Sequence, residues 1–237
     1  LPLGLVAALA VLLLQPASAV TPIGSSDGQF WDIQDTSPWA QDSGGIATGG
    51  GGNPFNGFGY LKLQVQHASG QPVVVNHYLR GFGLARDGER FDSITPVLHD
   101  GVVVSRAIYA PADTSWLRYY DAFTNSTDQP RTIEVAWGGA TGAYEDGGKV
   151  EVATTSSGDR AIDARDTFVT VMQNAGGVAD PMQGPSGHGP SAHVLGDGAA
   201  AGIFQRAGDM YGNPFTDAYP GFDPAHVGYV FRLELAP

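Results

Sequence analysis

The sequence predicts an all-β protein, an antiparallel β-sandwich of about nine to ten strands joined by long glycine-rich loops. Three observations predict this class. Apolar and polar residues alternate in several runs, which is typical of strands that bury one face. Residues that favour turns separate these runs, and no stretch beyond the first nineteen residues combines a helical period with helix caps. Short links between so many strands favour antiparallel pairing, because parallel strands need long crossover connections.

The alternation is clearest in Tyr60–Gln66, where Leu61, Leu63 and Val65 share one face and polar residues share the other. The same pattern predicts strands at Arg131–Gly138, Gly148–Thr154 and Gly228–Leu235. Further strands are predicted at Gln29–Ile33, Val73–Leu79, Val102–Tyr109, Trp116–Phe123, Thr167–Met172 and Ala200–Phe204. The segment Asn174–Gly198 is rich in Gly, Pro, Asp and His, so we expect a long loop there.

The chain divides into three predicted regions. Residues 1–19 contain the apolar run Leu3–Leu14 and end in Ala17-Ser18-Ala19, which indicates a secretory signal peptide without its basic start. A run of about a dozen residues is too short to span a bilayer, so we predict an exported chain with no membrane span after cleavage. We expect residues 20–56 to be a glycine-rich, loop-like entry segment and residues 57–237 to form the β-sandwich domain. A strong strand close to Pro237 predicts that the protein continues beyond it.

The composition narrows the function classes. The formal net charge is −12, from twelve basic and twenty-four acidic residues. Such a chain repels phosphate backbones, so we expect no nucleic-acid partner. The absence of cysteine excludes disulfides, thiolate metal sites and a cysteine nucleophile. A secreted chain of this size without disulfides is typical of a bacterial extracellular protein.

Aromatic residues cluster in the first third of the sequence beside predicted loops. The cluster consists of Trp31, Trp39, Phe55, Phe58 and Tyr60. Aromatic rings stack on the faces of sugars, so these five are candidate ligand-binding residues for an extracellular glycan or a cell-surface partner. The alternative is that they close one end of the sandwich, which is the ordinary fate of large aromatic side chains.

Acidic residues provide the candidate metal site. Asp159, Asp163 and Asp166 could bind calcium through their side-chain oxygens, although they lack the spacing of a known calcium-binding loop. The alternative is that they stabilise turns by accepting hydrogen bonds from nearby backbone groups. Calcium is the only cofactor that the sequence suggests. His188 and His193 lie in a loop of Gly and Pro that does not preorganise metal ligands.

Four consecutive motifs resemble a β-sandwich module of large bacterial secreted proteins, which often adjoins adhesin-like or Ig-like domains. They are an arginine-bearing strand, Gly101–Tyr109; a strand with Arg-Tyr and Asn, Trp116–Asn125; a proline turn, Pro130–Val135; and a Thr-Ser-Ser-Gly-Asp hairpin, Thr154–Asp159. The resemblance implies a β-sandwich in an extracellular protein and carries over no catalytic residues. The chain is also loosely similar to the supersandwich folds of mutarotase-like enzymes, but no position matches their His and Glu pair.

Three functions are consistent with these observations. The first is a non-catalytic module, structural or ligand-binding, within a larger bacterial extracellular protein. It is preferred because the sequence contains no strand-turn-helix that could hold a nucleophile elbow, and no phosphate-binding loop or dinucleotide fingerprint. The second is a carbohydrate-active enzyme of supersandwich type, which needs two facing carboxylates. The third is a calcium-stabilised adhesin segment.

Overall fold

A computed structural model describes residues 20–24, 30–35, 44–49, 55–66, 72–74, 78–113, 116–140, 149–163, 165–174, 191–194, 205–218 and 226–237. These residues form seventeen strands in four antiparallel sheets and no helix, so the all-β prediction is confirmed. None of the described segments is a helix long and apolar enough to cross a membrane. The predicted signal peptide and the predicted strand Ala200–Phe204 lie outside the described residues.

The segment expected to be loop-like contains a four-stranded N-terminal sheet. Its strands, which pair in chain order, are β1 (Val20–Gly24), β2 (Phe30–Gln34), β3 (Gly45–Gly49) and β4 (Phe55–Phe58). The prediction was wrong here because a few apolar side chains suffice to bury one face of short strands. Ile23, Ile33 and Ile46 all lie in the core between polar and glycine-rich links. Only the strand at β2 was predicted from the sequence.

The central part of the chain forms a five-stranded sheet that we call the front sheet. It consists of β7 (Leu84–Asp87), β8 (Arg90–Ser93), β9 (Val97–His99), β10 (Val102–Tyr109) and β11 (Arg118–Asn125). The strand order is β11-β10-β8-β7, and β9 pairs with β10 beyond the end of β8. Alternate residues of β10, from Val102 to Ile108, are buried, so one face of this sheet packs inward and the other faces solvent.

Two further sheets complete the described structure. The five-stranded back sheet has the order β16-β17-β12-β5-β6, from β5 (Tyr60–Gln66), β6 (Pro72–Val74), β12 (Arg131–Ala140), β16 (Arg206–Asp209) and β17 (His226–Leu235). A three-stranded sheet pairs β13 (Lys149–Thr155), β14 (Phe168–Asn174) and β15 (Ser191–Val194). Strand β15 lies within Asn174–Gly198, which was predicted to be a loop without strands.

The front and back sheets share a hydrophobic cluster. Leu61, Leu63 and Val65 of the back sheet belong to the same cluster as Val102 and Val104 of the front sheet. These five side chains are fully buried. A second cluster joins residues of the N-terminal sheet to the ends of β10 and β17. The inner side of the front sheet is therefore committed to the core, which leaves its other face available to solvent.

Strand β5 differs from the expectation of one buried and one polar face. Its side chains from Tyr60 to Val65 are buried on both faces, including Lys62 and Gln64. The reason is its position between β12 and β6, where residues such as Tyr78 and Met210 cover the second face. Gln64 meets its hydrogen-bonding requirement by donating to the carboxylate of Glu134 on β12, at 2.6 Å. An alternating pattern thus does not establish that the polar face of a strand is exposed.

Candidate functional site

The aromatic residues predicted to bind a ligand are mostly core residues. Trp31, Phe58 and Tyr60 are all buried. Because a sugar stacks on an uncovered ring face, these three serve the core in this structure and present no binding surface. Trp39 lies outside the described residues, and only the backbone of Phe55 is described. A ligand-binding role for those two residues stays a prediction.

The three acidic residues predicted to bind calcium lie in the connection between β13 and β14. The buried carboxylate of Asp166 accepts hydrogen bonds from the backbone N–H groups of Ser157, at 3.1 Å, and Asp163, at 2.9 Å. Asp163 forms an ion pair with Arg165, and Asp159 accepts a backbone N–H two residues further along. Among the residues that the structure describes, no three His, Asp or Glu side chains are grouped as metal ligands. The contacts favour the turn-stabilising alternative.

Hydrogen bonding shifts the titration of Asp166. Burial raises the pKa of its carboxyl group, but hydrogen bonds from Asp163 and Ser157 outweigh that effect and leave the pKa below its ordinary value. A carboxylate whose pKa is lowered by folding stabilises the folded state above its unfolded pKa. That stabilisation is lost as the pH falls through the folded pKa.

We therefore expect replacement of Asp166 by Asn to weaken the acid sensitivity of the protein. The wild-type free energy of unfolding should fall as the pH drops below about 4, the ordinary Asp value, and the Asp166→Asn variant should show a smaller slope there. Urea unfolding across this pH range measures both slopes. Asp87→Asn, at an exposed position on β7, is the control. Equal slopes in the Asp166→Asn variant and the wild type would contradict the prediction.

The exposed hydrophobic side chains concentrate on the front sheet. Six large hydrophobic residues are exposed in the described part of the chain, and five of them belong to the strands or flanking turns of this sheet. The five are Ile94, Leu98, Tyr109, Trp116 and Tyr120. Their exposed fractions run from 37% for Tyr109 to 72% for Ile94. Exposed apolar residues that concentrate on one sheet mark an interaction surface more often than scattered apolar residues do.

We call this surface the front face. The register of the strands places its residues opposite one another in rows across the sheet. One row contains Asp87, Arg90, Tyr109 and Arg118. The adjacent row contains Ala85, Asp92, Ala107 and Tyr120. Residues directly opposite one another on antiparallel strands point to the same side, so each row lies on one face. Tyr109 and Tyr120 are diagonal neighbours, with Cα atoms about 7–8 Å apart.

Three neighbours of Tyr120 on the same face of the sheet have small side chains. Ala107 lies directly opposite it, Ser105 lies diagonally across, and Ala122 is the next residue on the same face of β11. None of these side chains is long enough to cover a tyrosine ring. Tyr120 is accordingly 67% exposed, although it lies within a paired strand. Its ring is available to a planar or apolar ligand surface.

Tyr109 is held in place by its neighbours. Its ring lies edge-to-face against that of Trp116, with centroids 5.4 Å apart. Its hydroxyl donates to the Glu89 carboxylate at 3.1 Å, and the other oxygen of Glu89 accepts the backbone N–H of Ala112 at 2.7 Å. The hydrogen bond to Glu89 raises the pKa of Tyr109, so its phenol stays neutral at physiological pH. The pair of rings forms a second, oriented aromatic site beside Tyr120.

A buried ion pair lies directly beneath the front face. Arg106 is fully buried on the inward side of β10, and it donates to Asp121 on β11 through two hydrogen bonds of 2.7 and 2.9 Å. A third bond of 2.7 Å reaches the carbonyl oxygen of Gly59. Burial lowers the pKa of Arg106, but Asp121 outweighs it and keeps the guanidinium charged. These bonds fix β10 against β11, and therefore the spacing of the rings on the outer side.

A second polar cluster lies on the back sheet. The Lys62 ammonium is buried, donates to the carbonyl oxygen of Gly212 at 2.8 Å, and lies 5.0 Å from the centre of the Tyr78 ring. Burial lowers the pKa of Lys62 and outweighs the opposing effect of Asp209 and Asp217. The ammonium ties the loop after β16 to strand β5. This cluster is a structural anchor, since its donor is directed at the chain itself.

Tyr109, Trp116 and Tyr120 were not predicted from the sequence as ligand-binding residues. The signal that could have found Tyr109 is the period of two. In β10 the buried positions are Val102, Val104, Arg106 and Ile108, so Tyr109 falls on the opposite face. The choice between Tyr119 and Tyr120 depends on pairing with β10, which alternation within β11 alone does not provide.

Comparisons with known proteins add no evidence about the function of the front face. No protein-family model matches the chain, and no curated protein or solved structure is significantly similar to it.

Proposed function

We propose that this chain is a non-catalytic β-sandwich module of a larger bacterial secreted protein, and that its front face binds an extracellular glycan. The signal-like N-terminus and the resemblance to modules of bacterial exoproteins support the location and the class. The shared cluster of Leu63 on the back sheet and Val104 on the front sheet supports two stacked layers. The observation that carries the binding role is the concentration of exposed aromatic and apolar residues on one sheet face.

A glycan fits this surface because a sugar ring has an apolar face and a polar rim. The C–H bonds of one ring face pack against an aromatic ring, while the hydroxyl groups accept and donate hydrogen bonds at the edge. Tyr120 and the Tyr109–Trp116 pair offer two ring surfaces. Arg90, Asp92 and Arg118 lie in the same two rows and provide charged and polar groups beside them.

The partners of two carboxylates at the front face, Asp92 and Glu89, favour glycan binding over glycoside hydrolysis. A glycosidase needs one carboxyl group that donates a proton and another that attacks or activates water. Asp92 is instead paired with Arg90, at 2.7 Å, and Glu89 accepts hydrogen bonds from Tyr109 and from the backbone of Ala112. Both acids are thus used to orient the groups of the surface.

Replacing Tyr120 by Ala should weaken glycan binding by about tenfold or more without lowering the melting temperature, because the exposed ring acts as an aromatic anchor outside the core. Affinity electrophoresis against soluble polysaccharides, after a glycan array has selected a ligand, measures the change. Tyr211→Ala is the matched control, since Tyr211 is exposed on the loop after β16 and contacts Tyr78 of the back-sheet cluster. Unchanged affinity in Tyr120→Ala, or wild-type protein that binds no glycan, would contradict the proposal.

A further inference from the structure

We propose that the sugar bound at the front face carries a carboxylate, as a uronic acid does, and that Arg118 binds this group. The inference rests on the proposed glycan-binding function and specifies the chemical class of the ligand. Its starting point is the position of Arg118 at the edge strand of the front sheet. Arg118 lies directly opposite Tyr109, and it is two residues from Tyr120 on the same face.

Arg118 differs from the arginines around it in its partners. Arg90, the other arginine of the two rows, is paired with Asp92, and Arg106 beneath them is paired with Asp121. Arg118 is exposed and forms no ion pair or hydrogen bond with any residue that the structure describes. In a chain with twice as many acidic as basic residues, a guanidinium without a carboxylate partner is available for an anionic ligand.

The geometry suits a carboxylated sugar. Residues two apart on a strand are separated by about 7 Å. The carboxylate oxygens of a uronic acid lie two bonds outside its ring, and a hydrogen bond of about 3 Å spans most of the remaining distance to a guanidinium. This carboxylate extends from the ring carbon next to the ring oxygen. A sugar stacked on Tyr120 can therefore direct its carboxylate toward Arg118. The planar guanidinium can then donate two parallel hydrogen bonds to the two carboxylate oxygens.

The net charge of the protein opposes this ligand only at long range. At physiological ionic strength, charges further apart than about 8 Å are largely screened. Of the two acids in the two rows of the front face, Asp92 pairs with Arg90, and Asp87 lies on β7, three strands across the sheet from Arg118. Glu89, between β7 and β8, accepts hydrogen bonds from Tyr109 and a backbone N–H. Local attraction by Arg118 therefore governs the contact with the carboxylate.

The test compares acidic sugars with neutral sugars of the same shape. Oligogalacturonate, oligomannuronate and a glucuronate-containing oligosaccharide are measured beside their methyl esters, together with neutral cello-, xylo- and manno-oligosaccharides. We expect at least one acidic oligomer to bind, and its methyl ester to bind about tenfold to hundredfold more weakly, as loss of a charged bidentate contact implies. Arg118→Gln should lower affinity for the acid by the same factor. Arg118→Lys should recover part of it, since the charge remains and the planar fork is lost.

The control variant is Arg160→Gln, an exposed arginine in the connection between β13 and β14, which should bind as the wild type does. Equal affinity for an acid and its ester, or an undiminished affinity for the acid in Arg118→Gln, would overturn the inference. Binding of neutral oligosaccharides that depends on Tyr120 would then leave the proposed function standing. Absence of binding to every acidic and neutral oligomer would overturn both.

Discussion

Replacing Asp121 by Ala is expected to destabilise the protein by about 3–5 kcal/mol, because the variant removes the carboxylate that accepts two hydrogen bonds from a buried guanidinium. Arg106 has no exposed side-chain surface, and its guanidinium donates two hydrogen bonds to Asp121 and one to the carbonyl oxygen of Gly59. The aromatic rings of Phe82 and Tyr119, 5.6 and 4.9 Å away, offer weaker contacts that do not replace a carboxylate. Urea unfolding followed by tryptophan fluorescence measures the loss.

The matched control for Asp121→Ala is Asp92→Ala. Asp92 pairs with Arg90 on the exposed face of the same sheet, and such surface pairs contribute little to stability because solvent screens them. The double variant Arg106→Met with Asp121→Leu should be more stable than Asp121→Ala alone, because it removes both charges and fills the space with apolar atoms. A similar loss in Asp121→Ala and Asp92→Ala would show that Arg106 finds another partner.

The second large effect is expected at Gly139 on β12. A Cβ atom at this position would lie 2.0 Å from the carbonyl oxygen of Gly57 and 2.7 Å from the Cα atom of Phe58. Both are backbone atoms, so the contact is relieved only by moving a whole strand. The φ angle of Gly139 is also positive, at 148°, which favours glycine. Gly139→Ala should lower the free energy of unfolding by about 3 kcal/mol or more, since strain and overpacking add.

The Gly88→Ala variant separates the effect of backbone strain from the effect of overpacking. Gly88 also has a positive φ angle, of 60°, but an added Cβ atom there would meet no atom within 4 Å. Its variant should lose about 1–2 kcal/mol, the cost of a left-handed conformation alone. Thermal and urea unfolding of both variants give the comparison. Equal losses of stability in the two variants would show that the close approach of β12 to β4 does not contribute to the effect of Gly139→Ala.

The strands with strong alternation were predictable from sequence. Tyr60–Gln66 and Val102–Tyr109 were predicted with the bounds that the structure shows. Three of the four N-terminal strands, β1, β3 and β4, were missed because they are short and lie between glycine-rich links, so their pairing depends on tertiary contacts. The front-sheet strands β7 to β9 were missed for a related reason, since each has only three or four residues. Runs of that length are too short to display a period.

The candidate site was less predictable than the fold. Aromatic composition drew attention to Trp31 and Phe58, and the core contains both. Sequence does not distinguish an aromatic residue that fills a core from one that faces solvent, because both lie beside the same kinds of loops. Tyr119 and Tyr120 are adjacent, yet the Tyr119 hydroxyl is buried and the Tyr120 ring is exposed. The register of β11 against β10, in which Asp121 lies opposite the inward-facing Arg106, places Tyr120 rather than Tyr119 on the outward face.

Along β10, inward-facing and outward-facing residues alternate, so adjacent residues have different roles. Arg106 and Ile108 hold the scaffold, while Ala107 and Tyr109, their immediate neighbours, face outward. Substitutions at the outward positions can therefore diversify the surface without disturbing the interior. Ala85 and Ala107 are natural starting points for reshaping ligand selectivity, because larger side chains there would extend into solvent. The same polypeptide framework could in this way support a repertoire of recognition surfaces.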